Sequence, residues 1–551
     1  MERPGRVFRN PIIPGFHPDP SVCRVGDDFY LVNSSFSCFP GLPIFRSRDL
    51  VNWRQIGNVL DRPSQLDLDG AGHSRGLFAP TLRHHRGRFY LVCTNVDKGG
   101  NFVVTASDPA GPWSDPVWLP DAPGIDPSLF FDDDGRCWYS GTRPVPEGER
   151  YPGNWEVWVQ EFDAGDLSLV GEPTGIWRGA LRDCVWPEGP HLYRVGPWYY
   201  LLAAEGGTER RHAVCAARSA DIRGPWEGNP ANPILTHRHL GSGCPVVNVG
   251  HGDLVDDGKG CWWMVLLGSR PQGGEFCNLG RETFLVPVAW EDGWPVASPG
   301  TGRVMESYPA PALPGTSDPQ PSEAFGAYRE SFDLPALPHR WVTLRTPRSE
   351  FYSLGERPGF LRLRPLPATL RGNEHAAFLG IRQLHHDYRL SAAVEFSPRG
   401  PGDAAGLALV QSSDFQYRLE IGLAPEGDGA EIRLVAAEGA ADRVLARRPV
   451  SGERFVLCAA ARGQAVSFGW GQVSEEPAPG GQASQALEVL SAGLDGRILS
   501  TERAGGFVGT LLGVFATSGE TAAGAELGDR SVAHARCADF DWFEYLPAER
   551  A

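Results

Sequence analysis

The sequence predicts an all-β protein: a five-bladed β-propeller followed by a β-sandwich of the concanavalin-like jelly-roll kind. Three observations carry this. Turn pairs such as Pro14-Gly15, Pro152-Gly153 and Asp257-Gly258 recur throughout, with 68 Gly and 48 Pro in 551 residues, while amphipathic helical periods are scarce. A unit made of a short motif and then an aromatic strand start occurs five times before residue 300. Beyond residue 328 the pattern changes to strict alternation of apolar and polar residues.

The aromatic strand starts are Phe29-Tyr30, Phe89-Tyr90, Trp138-Tyr139, Trp198-Tyr199 and Trp262-Trp263. Several units continue into similar text, as in Ser47-Arg48-Asp49-Leu50-Val51-Asn52-Trp53, Ser107-Asp108-Pro109-Ala110-Gly111-Pro112-Trp113 and Ser219-Ala220-Asp221-Ile222-Arg223-Gly224-Pro225-Trp226. A period of this size, with room for four short strands per unit, marks a propeller blade. The propeller is expected over residues 1–310. The Pro- and Ala-rich text from Tyr308 to Gly315 leads into a linker over 311–327. The sandwich follows over 328–551, with alternating strands such as Phe360-Leu361-Arg362-Leu363-Arg364 and Tyr417-Arg418-Leu419-Glu420-Ile421.

Before the aromatic starts come five short texts: Asp19-Pro20-Ser21, Ala79-Pro80-Thr81, Asp126-Pro127-Ser128, Glu188-Gly189-Pro190-His191 and His251-Gly252-Asp253. Alignment of the repeats places Asp19, Ala79, Asp126, Glu188 and His251 at nearly one structural position, on inner strands lining a central channel. Three carboxylates there suit acid/base hydrolysis of an acetal. One must be ionised to draw a proton from water and another protonated to give one to the leaving oxygen, so their surroundings must separate their pKa values. Taken singly, an Asp before Pro is an ordinary turn former. As a set the three have no packing purpose, since buried like charges cost stability. The apolar flank Trp186-Pro187 suits Glu188 to the acid, and Asp19, held between Pro18 and Pro20, suits the base. Asp126 adds a negative charge that raises the pKa of Glu188.

His251 stands as a hydrogen-bonded channel histidine, a substrate contact or the single protein ligand of a hydrated divalent cation such as Ca2+. Arg281 is a donor to sugar hydroxyls, a partner for a carboxylate or a surface ion pair. Phe36 and Phe78 are core, rim or platforms for a sugar face. The pairs His84-His85 and His237/His239 lack a metal-binding helix context and read as loop residues.

The formal charge is −16, which argues against a nucleic-acid partner. No run of 18 apolar residues is present to span a membrane. Eleven scattered Cys read as buried free thiols, and with no apolar export segment after Met1 a cytoplasmic location is expected.

At these residues the sequence resembles glycoside hydrolase family 43, on its branch of β-xylosidases and α-L-arabinofuranosidases with an added C-terminal sandwich. The resemblance rests on Asn10-Pro11-Ile12-Ile13-Pro14-Gly15-Phe16-His17-Pro18-Asp19-Pro20-Ser21, Asn33-Ser34-Ser35-Phe36, Trp186-Pro187-Glu188-Gly189-Pro190-His191-Leu192-Tyr193, Ala204-Glu205-Gly206-Gly207-Thr208, Gly250-His251-Gly252-Asp253 and Leu279-Gly280-Arg281-Glu282-Thr283. It implies Asp19 as general base, Glu188 as general acid and Asp126 as pKa modulator, with carboxyls about 6.5–9.5 Å apart and inversion at the anomeric carbon. It further implies that Phe36, His251 and Arg281 line the terminal-sugar subsite and that Phe507, in Gly506-Phe507-Val508-Gly509, closes the pocket for exo action. Phe78 stands where related sequences carry Trp. The expected substrates are short neutral xylose- or arabinose-bearing oligosaccharides, with no required cofactor; assembly as a homo-oligomer stays open. The competing readings are an α-L-arabinofuranosidase with little xylosidase activity, a carbohydrate-binding propeller that has lost catalysis, and a fructosidase that retains configuration.

Overall fold

A computed structural model describes residues 6–313, 325–425, 427, 429–473, 487–519 and 537–548. The protein is all-β: among the described residues helix is confined to a 3-10 turn, Gly496–Leu499, and one α-helical turn, Thr501–Ala504. Among the described residues no helix is long and apolar enough to cross a membrane. The chain forms two compact units. The first comprises Met1–Leu68, Arg75–Pro271 and Arg281–Phe325, the second Asp69–Ser74, Gln272–Gly280 and Gly326–Ala551. Most of the linker expected at 311–327 (residues 314–324) lies outside the described residues.

The first unit holds five antiparallel sheets built on a four-strand path. Their first strands are Ser21–Val25, Thr81–His85, Ile125–Phe131, Glu188–Val195 and Val247–Asp256. Each first strand lies against the next in this order, and the fifth lies against the first, so the ring closes. The second strands carry the aromatic pairs noted in the sequence. These pack each sheet onto its neighbour: Tyr30 meets Phe89 edge-on at 5.2 Å, and Tyr90, Tyr139 and Trp158 share one buried cluster. Trp138, Leu192, Tyr199 and Leu201 share the next. Such rings bury a large apolar area, which is why an aromatic opens the second strand in every repeat. A two-stranded sheet pairs Val7–Arg9 with Ser307–Pro309, tying the two ends of this unit together.

The inner strands are also joined by a buried polar hub. The Asp253 carboxylate is fully buried and accepts from Ser21 Oγ at 2.8 Å, the Val22 amide at 3.0 Å, Arg83 Nη1 at 2.9 Å and the Tyr193 hydroxyl at 2.6 Å. Arg83 Nη2 reaches His191 Nδ1 at 3.0 Å, and Ser128 Oγ lies 3.2 Å from the same nitrogen. Burial raises the Asp253 carboxyl, but the Arg83 guanidinium outweighs it with help from His191 and Tyr193, so its pKa falls to about 2. His84 and His85, expected in a loop, belong to the inner strand Thr81–His85, where His85 stacks on Phe131 at 4.3 Å.

The second unit is a sandwich of antiparallel strands. One sheet has six strands in the order Ala377–Arg382, Leu511–Thr517, Ala404–Val410, Phe415–Leu423, Ala430–Glu438 and Asp442–Val450. The other is built around Ala538–Pro547, Tyr388–Glu395 and Arg454–Arg462. The period-two alternation read in the sequence does not divide every strand between core and exterior: Ala377–Arg382 and Ala404–Val410 are buried along their length, and the edge strand Asp442–Val450 is mostly exposed. Leu419, Ile421, Ile432 and Leu434 are fully buried on one side of the six-stranded sheet, and Leu457, Phe543 and Tyr545 in the other sheet are equally buried.

Candidate active site

Three inner strands carry the same irregularity. Strand pairing jumps by one residue between Ile125 and Ser128, between Glu188 and His191, and between Gly250 and Asp253. Each jump is a β-bulge, which bends the strand and re-aims the side chain at the bulge. The residue within it is left-handed: Asp126 at φ 55°, Gly189 at φ 53° and His251 at φ 49°. Asp19, two residues before its strand begins, has φ 51°. Asp and His are among the few non-glycine residues that tolerate this region.

The equivalent set is therefore Asp19, Asp126, Gly189 and His251, and the alignment of Glu188 with Asp19 is corrected by one residue. Glu188 pairs with Ala204 as Ile125 pairs with Thr142 and Gly250 with Leu267. Glycine takes the slot in the fourth sheet for a steric reason as well. A Cβ on Gly189 would stand 2.7 Å from the His251 imidazole. Ala79 has no left-handed backbone.

Asp19 is buried at the corner where the chain enters the first sheet. Asn33 fixes that corner by donating from Nδ2 to the carbonyls of His17 and Pro18, at 3.0 and 2.9 Å. The Asp19 carboxylate accepts from Ser34 Oγ at 2.5 Å and from Arg281 Nη1 at 2.8 Å. Arg281 also donates to Thr208 Oγ1 at 2.9 Å and lies over the Phe36 ring, 5.6 Å from its centroid. The surface-pair reading of Arg281 is thus replaced by a buried one. Phe36 is buried between Phe16 and Phe78, with ring centroids at 5.7 and 5.2 Å, and Phe78 is partly exposed.

Asp126 accepts the Gly189 amide at 3.0 Å, which ties the second of the acidic strands to the third. Glu188 is partly exposed, between buried Pro187 and buried Gly189. The Pro187 carbonyl is held by Thr142 Oγ1 at 2.6 Å. His251 sits with its ring 6.3 Å from that of His191.

The surroundings separate the three acids. Burial alone raises Asp19, but Arg281 outweighs it with the help of His251, Ser34 and His212, leaving its carboxyl below the ordinary range. Asp126 is pushed up to about 6 by burial and by Asp19, against the pull of His251, the Gly189 amide and Arg281. Glu188 rises well above the usual value, first by burial, then by repulsion from Asp126 and Asp19. Such a set pairs a carboxyl that ionises readily with one that holds its proton to higher pH, the separation that acid/base cleavage of an acetal requires.

The structure gives roles to residues that the sequence named only inside longer motifs, or not at all. Ser34 and Thr208 hold the Asp19–Arg281 pair from either side. His212 is buried and neutral, its pKa pushed by burial to about 3, with Nδ1 3.0 Å from the Asn248 carbonyl. The sequence quoted Ser34 and Thr208 only as neighbours of other residues, and nothing around His212 marks it. His237 is a loop residue as expected, just past the strand Leu235–Thr236, but a buried one, bonded to the Val246 carbonyl at 2.7 Å and accepting the Val304 amide at 2.9 Å. Among the described residues no three His, Cys, Asp or Glu side chains gather to hold a metal. Phe507 lies in the second unit, exposed, its amide donating to Ser74 Oγ at 2.8 Å.

A propeller whose channel gathers three carboxylates defines a class, the propeller glycosidases, and comparison with known proteins agrees. The model of glycosyl hydrolases family 43 matches residues 8–295, and that of the beta xylosidase C-terminal concanavalin A-like domain matches residues 329–546. The chain belongs to glycosyl hydrolases family 43 and is a glycosidase. It is 46% identical to a xylosidase/arabinosidase of Butyrivibrio fibrisolvens, over 93% of this chain and 96% of that protein. It is 37% identical to a non-reducing end alpha-L-arabinofuranosidase of Bacteroides ovatus, over 98% and 95%. The solved xylan beta-1,4-xylosidase of Bacillus halodurans superimposes with a TM-score of 0.87 at 34% identity, covering 98% of this chain and all of that one.

Proposed function

We propose that the protein is an exo-acting, inverting glycosidase that releases xylose or arabinofuranose from the non-reducing ends of short xylan-derived oligosaccharides. Asp19 is the base, Glu188 the acid and Asp126 the residue that keeps Glu188 protonated. The observation that carries this reading is the unequal partnering of the two end carboxylates. Asp19 is bonded to Arg281 and Ser34, whereas among the described residues no side chain donates to Glu188. An acid that must surrender its proton is served by such a setting.

In the proposed step Asp19 takes a proton from water as the water oxygen attacks the anomeric carbon. The bond from that carbon to the glycosidic oxygen breaks, and Glu188 delivers its proton to the departing oxygen. The two products leave with Asp19 protonated and Glu188 ionised, and exchange with solvent restores both. Arg281, His251 and Phe36 bind the terminal sugar. The names of the relatives support a pentoside substrate. Eleven free cysteines accord with work in a reducing compartment such as the cytoplasm.

The test is a panel of aryl β-xylopyranoside, α-L-arabinofuranoside and β-galactopyranoside with wild type and Glu188→Ala. The variant is expected to lose most turnover on pentosides with poor leaving groups and far less on activated ones, which need little protonation. Equal losses on both kinds would refute the role of Glu188, and an initial product of retained anomeric configuration by NMR would refute inversion.

A further inference from the structure

We infer that Trp186 is the platform on which the leaving-group sugar stacks, and so a specificity-determining residue of this site. The inference rests on the proposed pentosidase reading and extends it to the far side of the scissile bond. Two independent features set Trp186 apart. The residue is 38% exposed, although the pocket's inner aromatic, Phe36, is buried beneath Arg281. Its backbone is left-handed at φ 47°, a conformation that bulky residues rarely adopt. Such strain persists only where the surroundings enforce it.

The surroundings do enforce it. The Trp186 amide donates to the Gly153 carbonyl at 2.8 Å. Gly153 and Gly207 both press on the indole, and a Cβ at either would stand within 2.8 or 2.9 Å of it. The loop leading to Trp186 is pinned from below by Glu205. This buried carboxylate accepts from Trp177 Nε1 at 3.0 Å, the Ala180 amide at 2.8 Å and Cys184 Sγ at 3.2 Å. Tyr151 adds a bond from its hydroxyl to the Cys184 carbonyl at 2.9 Å. The indole is thus fixed before any sugar arrives, and a rigid aromatic face binds with little loss of entropy.

Its place in the chain gives it the stated role. Trp186 is two residues before Glu188. Gly207, which supports the indole, is followed by Thr208, which bonds the same Arg281 that holds Asp19. The Asp19, Arg281 and Phe36 side of the site is closed and polar, suited to one terminal sugar. Trp186, by contrast, is exposed and lies two residues before the proposed acid, on the side where the departing sugar must lie for its oxygen to be protonated. A xylose unit has no exocyclic hydroxymethyl group, so both of its faces are shallow enough to lie on an indole.

The test measures binding without turnover. Full-length Glu188→Gln protein, alone and combined with Trp186→Ala or Trp186→Phe, is titrated calorimetrically with xylose and with β-1,4-xylobiose. Losing the indole face should weaken xylobiose about tenfold, while xylose, held on the other side, changes less than about twofold. Trp186→Phe retains an aromatic face and should recover most of the xylobiose affinity. Equal weakening for both sugars, or unchanged xylobiose binding in Trp186→Ala, would overturn the assignment and leave Trp186 as a loop anchor. If the Glu188→Gln parent binds neither sugar, the pentoside reading itself fails and the assignment falls with it.

Discussion

Arg281 offers the sharpest test of how the acids are separated. Its Nη1 lies 2.8 Å from Asp19 Oδ1, with side-chain exposures of 9% and 7%. Taking charge centres about 4 Å apart and an effective dielectric of about 20, the attraction is roughly 4 kcal/mol. Losing this charge therefore moves the Asp19 carboxyl upward, even though His251, Ser34 and His212 still help. The sign follows from the balance described above. In wild type the Asp19 carboxyl is depressed and ionised down into acid. In Arg281→Met burial prevails, and Asp19 becomes a working base only at higher pH. The acid limb of kcat/KM on a para-nitrophenyl pentoside should therefore move to higher pH. The alkaline limb, set by Glu188, should rise too, because Arg281 also favours ionised Glu188. Arg281→Lys should return the acid limb part of the way. Breaking a buried pair also costs about 3–5 kcal/mol of stability, so the profiles need measuring well below the variant's melting temperature. A variant that is slower at every pH with its acid limb unmoved would refute the reasoning, leaving Arg281 as a sugar contact only.

Two further outcomes are expected. Gly189→Ala places a methyl group 2.7 Å from the His251 ring on a backbone at φ 53°, and a displacement of that order should cost about a hundredfold in kcat, read by steady-state kinetics beside a melting curve that shows the fold persists. Asp253→Asn removes a carboxylate whose folded pKa is about 2 against an ordinary value of about 3.9, a linkage worth about 2.6 kcal/mol that is present above the ordinary value and fades as pH falls toward 2. The gap in calorimetric melting temperature between wild type and variant should be widest near neutrality and narrow below about pH 4; a gap that ignores pH would contradict the assignment.

Much of the fold was legible because its signals are local. The aromatic pairs fall on the second strand of each of the five sheets, and period-two text marks strands in the sandwich, although burial there follows each strand's place in the sheet more than the alternation. The three acids stood out because Asp19 and Asp126 share an Asp-Pro-Ser context and Glu188 lies beside Gly-Pro. What stayed hidden depends on contacts between distant strands. Ser34 and Thr208 acquire their roles only when Arg281, in a different sheet, reaches Asp19. Asp253 reads as one more polar residue in a strand until Ser21, Arg83 and Tyr193 converge on it. The one-residue offset of Glu188 arises from a bulge, and eye alignment cannot separate a bulged glutamate from a bulged glycine that follows it. Glu205 lacks any cationic neighbour in sequence to suggest burial, yet it anchors the loop bearing Trp186.

The repeated left-handed slot restricts what mutation can reach in this ring. Asparagine, aspartate, histidine and glycine fit such a backbone, whereas valine, isoleucine and threonine do not. A saturation library at Asp19, Asp126 or His251 will therefore return few folded members, and those will present short polar groups at almost unchanged depth. Redesign for a new sugar is better directed at positions with ordinary backbone, such as Phe78 and Thr208, where side-chain size can vary while the frame of the ring stays as it is.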